Sequence, residues 1–463
     1  MNINIKKVIE VVGGRPSAGE LGRNITSVAI DSRKVVPGSL FVAFAGENTD
    51  GHHYLADSAR RGAAAALVEQ DVPDCGQMVA IRVDSTLAAL QRLAAWQRLQ
   101  FTGLQVIGVT GSSGKTTTKE LVAGVLSQKY AVFKSRGNHN NAIGLPLMLL
   151  EMQEQHQFAV LEMGMSAPGE IQELCEFSRP GIGIITNIGE AHIEHLGSRE
   201  AIMDAKFELS QNLSSPALMI LNGDDPWQRR KVKEGLPGVK VLFYGLNSGN
   251  NIRGFNIHSS VRGCSFDVQW GNGSTQVQIG LLGAHNVYNA LAAFAAGLAL
   301  NVEPALIAAG LASVRGEAGR LQPVEINGLT LIDDSYNANP DSMGKALDVL
   351  GQYPPGRRRV AFLGDMLELG PFSAEKHQLV GRLAAEHSLD LLIAVGRYSE
   401  HIRLGAIASG MKSDLIAVWP ESKAALASLD SLLPGDVVLV KGSQGAEMIR
   451  IVQGIKAGGT EKC

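Results

Sequence analysis

The segment VIGVTGSSGKTTTKE, residues 106–120, restricts the fold more than any other part of the chain. A β-branched run enters a glycine-rich turn, and Lys115 and Thr116 open a helix. Such a turn aims several backbone N–H groups at one point, and the helix N-terminus adds partial positive charge, so phosphate binds there. Gly111, Ser112, Ser113, Gly114 and Thr117 make up the rest of the cradle. Lys115 is placed to reach the β- and γ-phosphates, and the Thr116 hydroxyl to ligate Mg2+. The strict G-x-x-x-x-G-K-[ST] spacing fails at its first glycine, where Val109 stands. A chance glycine-rich turn is the competing reading, and the strand before and helix after weigh against it. The segment therefore predicts nucleotide binding, while the fate of the nucleotide rests on other residues.

A chain of 463 residues fits about three domains at ~150 residues each. Apolar residues make up 45% and charged residues 19%, so global disorder is excluded. Glycine is abundant, at 53 residues, as expected of many tight strand-to-helix turns. The net charge is −3, from 42 basic and 45 acidic side chains, and no Lys/Arg run occurs. The electrostatic footprint of a nucleic-acid binder is therefore missing. Cys75, Cys175, Cys264 and Cys463 lie far apart and form no C-x-x-C pair, which predicts reduced thiols rather than a disulfide frame or zinc site. The amino terminus has no signal-peptide apolar core, and the apolar stretch Ala290–Leu300 falls short of the ~20 residues that cross a bilayer. A soluble, cytoplasmic protein without membrane insertion is expected.

Three textures follow one another. Up to about residue 102, Val28–Ile30, Leu40–Phe44, Ala64–Val68 and Val79–Val83 read as strands, and Ser85–Leu99 has apolar residues at helical spacing. Residues 103–314 begin with the phosphate-binding segment, and Phe158–Met163, Gly183–Thr186 and Leu218–Leu221 read as buried parallel strands. There Cys264–Trp270 and Thr275–Ile279 alternate strictly, as exposed antiparallel strands do, and Asn286–Leu300 is an alanine-rich helix. The polar piece Ser313–Arg320 is the candidate linker. Residues 315–463 alternate strands (Leu329–Asp333, Arg359–Leu363, Leu391–Val395, Asp436–Val440) with helices, a second doubly wound sheet. The fold class is α/β in three domains: a small amino-terminal one, a central P-loop sheet with added antiparallel strands, and a carboxy-terminal Rossmann-like one.

Other polar clusters sit where ligands bind. Glu162 ends an apolar run and suits an acidic Mg2+ partner of a phosphate loop, or else is a solvated carboxylate. His192 follows a strand through a glycine turn, where a metal or phosphate could sit, although a histidine there is more often structural. Lys206 lies in the next helix, with a surface lysine as the bland reading. Asn138, in RGNHNNAIGLP, suits polar or phosphate groups, or a turn. Asn286 and Asn289, one helical turn apart, could read an adenine edge, with a helix cap by Asn286 as the alternative. Arg320, Asp334, Asn337, Asn339, Asp365 and Lys441 gather in or near GRLQ, IDDSYNANPDSM, LGDMLELG and VKGSQG, beyond predicted strands.

Taken in this order, TGSSGKTTT, NIGEAHIEHLGS with Lys206, HN-x-x-N at 285–289, GR at 319–320 and DDSYNANP resemble the Mur ligase family across essentially the whole chain. These are ATP-dependent, amide-forming enzymes of the peptidoglycan peptide stem. DSYNANPDSM and LGDMLELG are similar to the member that adds D-alanyl-D-alanine to a UDP-N-acetylmuramoyl tripeptide through an acyl phosphate. The resemblance implies ATP and Mg2+ as cofactors, and Lys115, His192 and Lys206 as the catalytic set. It implies a first Mg2+ held by Thr116, with Glu162 as a further metal ligand. A second Mg2+ falls to His192 and a carbamylated Lys206. Adenine is implied at Asn286 and Asn289, a phosphate at Arg320 and the ribose at Asp334. DSR, PGSLFVAFAG and DGH resemble a UDP-sugar site, which places Ser32, Arg33, Gly46 and His52 near that nucleotide, with Asn138 also on the substrate. The dipeptide is expected near Asn337, Asn339 and Asp365. The partners are then small molecules only, and the chain is expected to be a monomer. A Mur-type ligase adding a single amino acid such as a diamino acid, and a P-loop module that ligates nothing, remain the alternatives.

Overall fold

The computed structural model describes residues 1–46, 49–73, 75–354 and 356–458. Three substantial sheets follow one another along the chain, and a two-stranded pair (Ile3–Asn4 with Asn24–Ile25) accompanies the first. That first sheet has the order Arg15–Pro16, Val79–Arg82, Ala65–Val68, Ser39–Val42, Ser27–Ala29. Its strands pair in parallel except for the Arg15–Pro16 edge. Ser39–Val42 and Ala65–Val68 are buried throughout, so they show no alternation, as strands covered on both faces do. Helix Thr86–Gln100 starts where its sequence says, because the Ser85 hydroxyl accepts from Ala88 N at 3.2 Å.

The second sheet has nine strands, ordered Gly273–Ile279, Gly263–Trp270, Ile252–Ser260, Val239–Gly245, Ala217–Asn222, Ile182–Ile185, Gln105–Thr110, Phe158–Glu162, Val132–Lys134. Phe158–Glu162 runs parallel to both its neighbours. The alternating strands expected at 264–279 form an antiparallel meander with Ile252–Ser260, and Cys264, Phe266 and Val268 point inward. Val132–Lys134, Val239–Gly245 and Ile252–Ser260 add strands that the pattern did not announce.

The third sheet is ordered Gln322–Ile326, Leu329–Asp334, Val437–Lys441, Arg359–Gly364, Leu391–Val395, Ile416–Trp419. It is parallel apart from its first pair. One face packs Ile332, Leu347 and Leu363, and the other Leu331, Phe362 and Val440, which makes the sheet doubly wound. Between helix Pro304–Ser313 and strand Gln322–Ile326, residues 314–321 form neither helix nor strand.

By backbone proximity the chain gathers into two compact units, Met1–Val109 with Tyr130–Gly183 and Phe207–Leu218, and Thr110–Lys129 with Ile184–Lys206 and Met219–Cys463. Cys75, Cys175 and Cys264 form no disulfide among the described residues, and Cys463 lies outside them. Among the described residues no helix is long and apolar enough to cross a membrane.

Candidate active site

Strand Gln105–Thr110 hands the chain to the glycine-rich turn and helix Lys115–Leu126, and this turn and helix belong to the second unit. The turn is fastened by Thr186 and Asn187, which follow strand Ile182–Ile185. Ser112 N donates to Asn187 O and Ser113 N to Asn187 Oδ1, both at 3.0 Å. Thr186 Oγ1 and Asn187 Nδ2 donate to Ser113 O at 2.6 and 3.0 Å. Gly189 N donates to Ser112 Oγ at 2.8 Å. A Cβ on Gly111, at φ +148°, would lie 1.8 Å from Thr186 Oγ1, so only glycine fits. Lys115 Nζ donates to Gly111 O at 2.9 Å, which holds the ammonium over the turn. Thr116 is buried in the first helical turn, while Thr117 is partly exposed. Thr186 and Asn187 were not anticipated; their signal is a polar pair closing the apolar run IGII.

Asn286 and Asn289 are buried on helix His285–Ala299. Asn286 Nδ2 donates to Leu282 O at 2.7 Å, and Asn289 Nδ2 donates to Asn286 Oδ1 at 2.8 Å. Asn289 Oδ1 accepts from Thr118 Oγ1 at 3.2 Å and presses on Gly114, whose Cβ it would meet at 2.6 Å. Asn289 thereby braces the phosphate turn. Asn286 helps line a cleft with Thr117, Glu120, Glu317 and Arg320. The Arg320 guanidinium stacks over Tyr336, 4.2 Å from its centroid, and stays 3.8 Å from Glu317. Burial pushes the Glu317 carboxyl up, with Lys119 opposing and Glu120 reinforcing. Lys119 is fully buried and its ammonium makes no hydrogen bond, with Glu120 Oε1 at 3.4 Å.

Lys206, on helix Arg199–Gln211, is buried, and no hydrogen bond or ion pair reaches it among the described residues. Burial, with the Lys115 charge in second place, drives its ammonium well below the ordinary lysine value. The neutral amine is thus favoured, the form that captures CO2 to give a carbamate. His192 adopts the left-handed conformation at φ +65° and precedes the short helix Ile193–Leu196. Its Nδ1 lies 2.5 Å from Glu368 Oε2, and that hydrogen bond holds the Glu368 carboxyl below its usual range.

Strand ends of the third sheet bring Asp334, Asp365 and Lys441 forward. Buried Lys441 donates to Asp334 Oδ2 at 2.6 Å and to Asn337 O at 2.9 Å. Asp334 Oδ1 accepts from Leu321 N at 3.2 Å. Burial raises the Asp334 carboxyl, against Lys441 and Arg320. Asn337 is exposed, and Asn339 caps helix Pro340–Gly351 by accepting from Ser342 N at 2.8 Å. Asp365 accepts from Arg397 N and Tyr398 N at 2.8 and 3.0 Å, so it orders that loop.

In the first unit, Glu162 N donates to Ser135 Oγ at 3.0 Å and Glu162 Oε1 accepts from Asn140 Nδ2 at 2.9 Å. Its Oε2 is buried with no partner. Asn140 therefore serves the carboxylate, while Asn138 stands exposed in the turn. Near the amino terminus Ser32 is buried, and Arg33 pairs with Asp31 at 2.8 Å yet stays mostly exposed. Gly46 N donates to Thr49 O at 3.0 Å. His52 Nε2 accepts from Glu69 N at 3.0 Å, so its Nδ1 carries the proton and donates to Asp50 at 2.6 Å.

Among the described residues no cluster of three His, Cys, Asp or Glu could hold a metal. Any cation here draws on mixed ligands: in the first unit Glu162 keeps one orphaned buried oxygen, and in the second His192 has an unengaged Nε2, while Lys206 would offer an oxygen only as its carbamate. The turn and Arg320 can neutralise phosphates.

Three family models match the chain: the Mur ligase family catalytic domain over residues 24–98, the Mur ligase middle domain over 109–297, and the Mur ligase glutamate ligase domain over 319–444. The UDP-N-acetylmuramoyl-tripeptide--D-alanyl-D-alanine ligase of Bacillus subtilis is 36% identical over 97% of both chains. A crystal structure of MurF from Acinetobacter baumannii superposes with a TM-score of 0.90 at 31% identity over 99% of each chain. MurF ligase from Thermotoga maritima, in complex with ADP, gives 0.81 at 29% identity over 94% of this chain and 98% of that one. The three-domain α/β architecture is common to them.

Proposed function

Because the chain belongs to the Mur ligase family, we propose that it joins D-alanyl-D-alanine to a UDP-N-acetylmuramoyl tripeptide at the expense of ATP, a step of peptidoglycan synthesis. The observation that carries this beyond a bare phosphate-binding turn is Lys206, buried without a partner and electrostatically linked to Lys115. A nucleotide switch has no use for such a lysine, whereas a carbamate made on it supplies an anion for a metal.

A carboxylate is a poor electrophile, so the tripeptide's terminal carboxylate first attacks the γ-phosphate, giving an acyl phosphate and ADP. The dipeptide amine then attacks the acyl carbon, the C–O bond to phosphate breaks, and the amine loses a proton. Two anions approach in the first step, and Lys115 with the N–H groups of Gly114 to Thr116 offsets their repulsion. Mg2+ supplies further charge neutralisation when bound. Thr116 and Glu162 are the proposed ligands of the first ion, and His192 with carbamylated Lys206 of the second. Asn286 faces adenine with Asn289 bonded behind it, Arg320 faces a phosphate, and Asp334 the ribose through lone pairs left by Lys441 and Leu321. Ser32, Arg33, Gly46 and Asn138 serve the UDP substrate, with His52 acting through Asp50 and the Glu69 backbone that its two ring nitrogens hold. Asn337, Asn339 and Asp365 shape the dipeptide end, Asp365 through the loop it orders. The domains assigned to these tasks are 1–102, 103–314 and 315–463, in a cytoplasmic monomer.

The test is phosphate release from ATP with each component omitted in turn. Release should require both the UDP-tripeptide and D-alanyl-D-alanine and yield the pentapeptide by mass. Release that is independent of an acceptor, or equal with a single diamino acid, overturns the assignment.

A further inference from the structure

The segment after strand Ile182–Ile185 meets the loop after strand Arg359–Gly364 through several independent contacts. His192 Nδ1 lies 2.5 Å from Glu368 Oε2, and Glu194 N donates to Glu368 O at 3.3 Å. On helix Ser373–Glu386, which follows that loop, Lys376 Nζ pairs with Glu190 Oε2 at 2.8 Å. Gly370, at φ +52°, permits the approach, since a Cβ there would lie 3.1 Å from the Glu194 side chain. A carboxylate only accepts, so Glu368 fixes the proton of His192 on Nδ1. The ring is locked as the tautomer whose Nε2 lone pair points away from Glu368, free for a cation.

We propose that Glu368 is a positioning residue that presets His192 for the metal, so that cation affinity depends on seating of the loop from the carboxy-terminal sheet. This rests on the reading of His192 as a metal ligand. Carboxylate partners of metal-binding histidines orient the ring and raise its basicity, and losing one costs ~10–100-fold in metal affinity. The dependence is reciprocal: the cation must in turn favour the seated loop by the same factor. Chemistry that needs this cation is then confined to the arrangement in which the domain bearing the incoming amine has already docked.

The probe is Mn2+, titrated into the full chain with saturating ADP and UDP-tripeptide while free ion is followed by electron paramagnetic resonance. Glu368→Met should weaken binding of one ion tenfold or more, with ADP affinity in the absence of metal unchanged. Glu368→Gln, whose amide oxygen still accepts from Nδ1, should fall between it and the unsubstituted chain. Lys376→Ala should produce a smaller weakening, since it loosens the loop without touching His192. If His192→Ala weakens the ion but Glu368→Met does not, the positioning role is refuted. If His192→Ala leaves Mn2+ binding unchanged, the metal-ligand reading fails and the inference falls with it.

Discussion

A lysine buried without a partner sheds its proton or destabilises its fold, and Lys206 stands in that position. Its folded value is depressed while the unfolded value is near ~10.4, so between the two the unfolded chain binds more protons. Stability should therefore rise with pH across that window. In CO2-depleted buffer Lys206→Met should raise the thermal midpoint at neutral pH and flatten the slope, as calorimetry across pH would show. Lys206→Arg keeps a cation but cannot form the carbamate, and phosphate release should fall by at least ~100-fold with circular dichroism unchanged. Turnover like that of the unsubstituted chain in Lys206→Arg removes the carbamate from the mechanism. The buried pair Lys441–Asp334 makes a different claim. Lys441→Met strands a buried carboxylate and should cost ~3–5 kcal/mol in urea unfolding, with Asp334→Asn in the same chain restoring much of the loss.

Among the elements, the phosphate turn depends on a second one for its shape. Its hydrogen bonds to Thr186 and Asn187 hold Ser112 and Ser113 in place, and Gly111 is the point of closest approach. Gly111→Ala should weaken ADP binding tenfold or more by calorimetry while leaving the fold cooperative; unchanged affinity would show that the turn yields. Here the sequence was legible in part. Strand, glycine turn and helix are written locally in VIGVTGSSGKTTTKE, because each is a short-range propensity. The brace is not, since residues 110–116 and 186–189 meet only once two strands share a sheet. The same distinction explains Asn339, whose capping of helix Pro340–Gly351 is local chemistry. It also explains Gln322–Ile326, an edge strand whose burial alternates weakly and whose existence follows from its partner Leu329–Asp334.

For the whole molecule, ligands that bind only the folded state raise its stability by mass action. ADP with Mg2+ at a hundred times its dissociation constant should add ~2.7 kcal/mol, visible as a higher unfolding midpoint. Arg320→Ala, which removes a cation from the cleft lined by Asn286 and Glu317, should shrink that gain. An undiminished gain would place the nucleotide elsewhere. The amino-acid sequence alone specified three α/β segments, a phosphate-binding turn and a set of polar clusters at strand ends, because periodicity and turn chemistry act over a few residues. Folding in three dimensions alone determined that Lys206 is dehydrated, that Glu162 keeps one oxygen unpaired, that Asp365 is spent on a loop, and that Glu368 meets His192. Burial and pairing between residues far apart in the chain are properties of packing, and no local pattern encodes them.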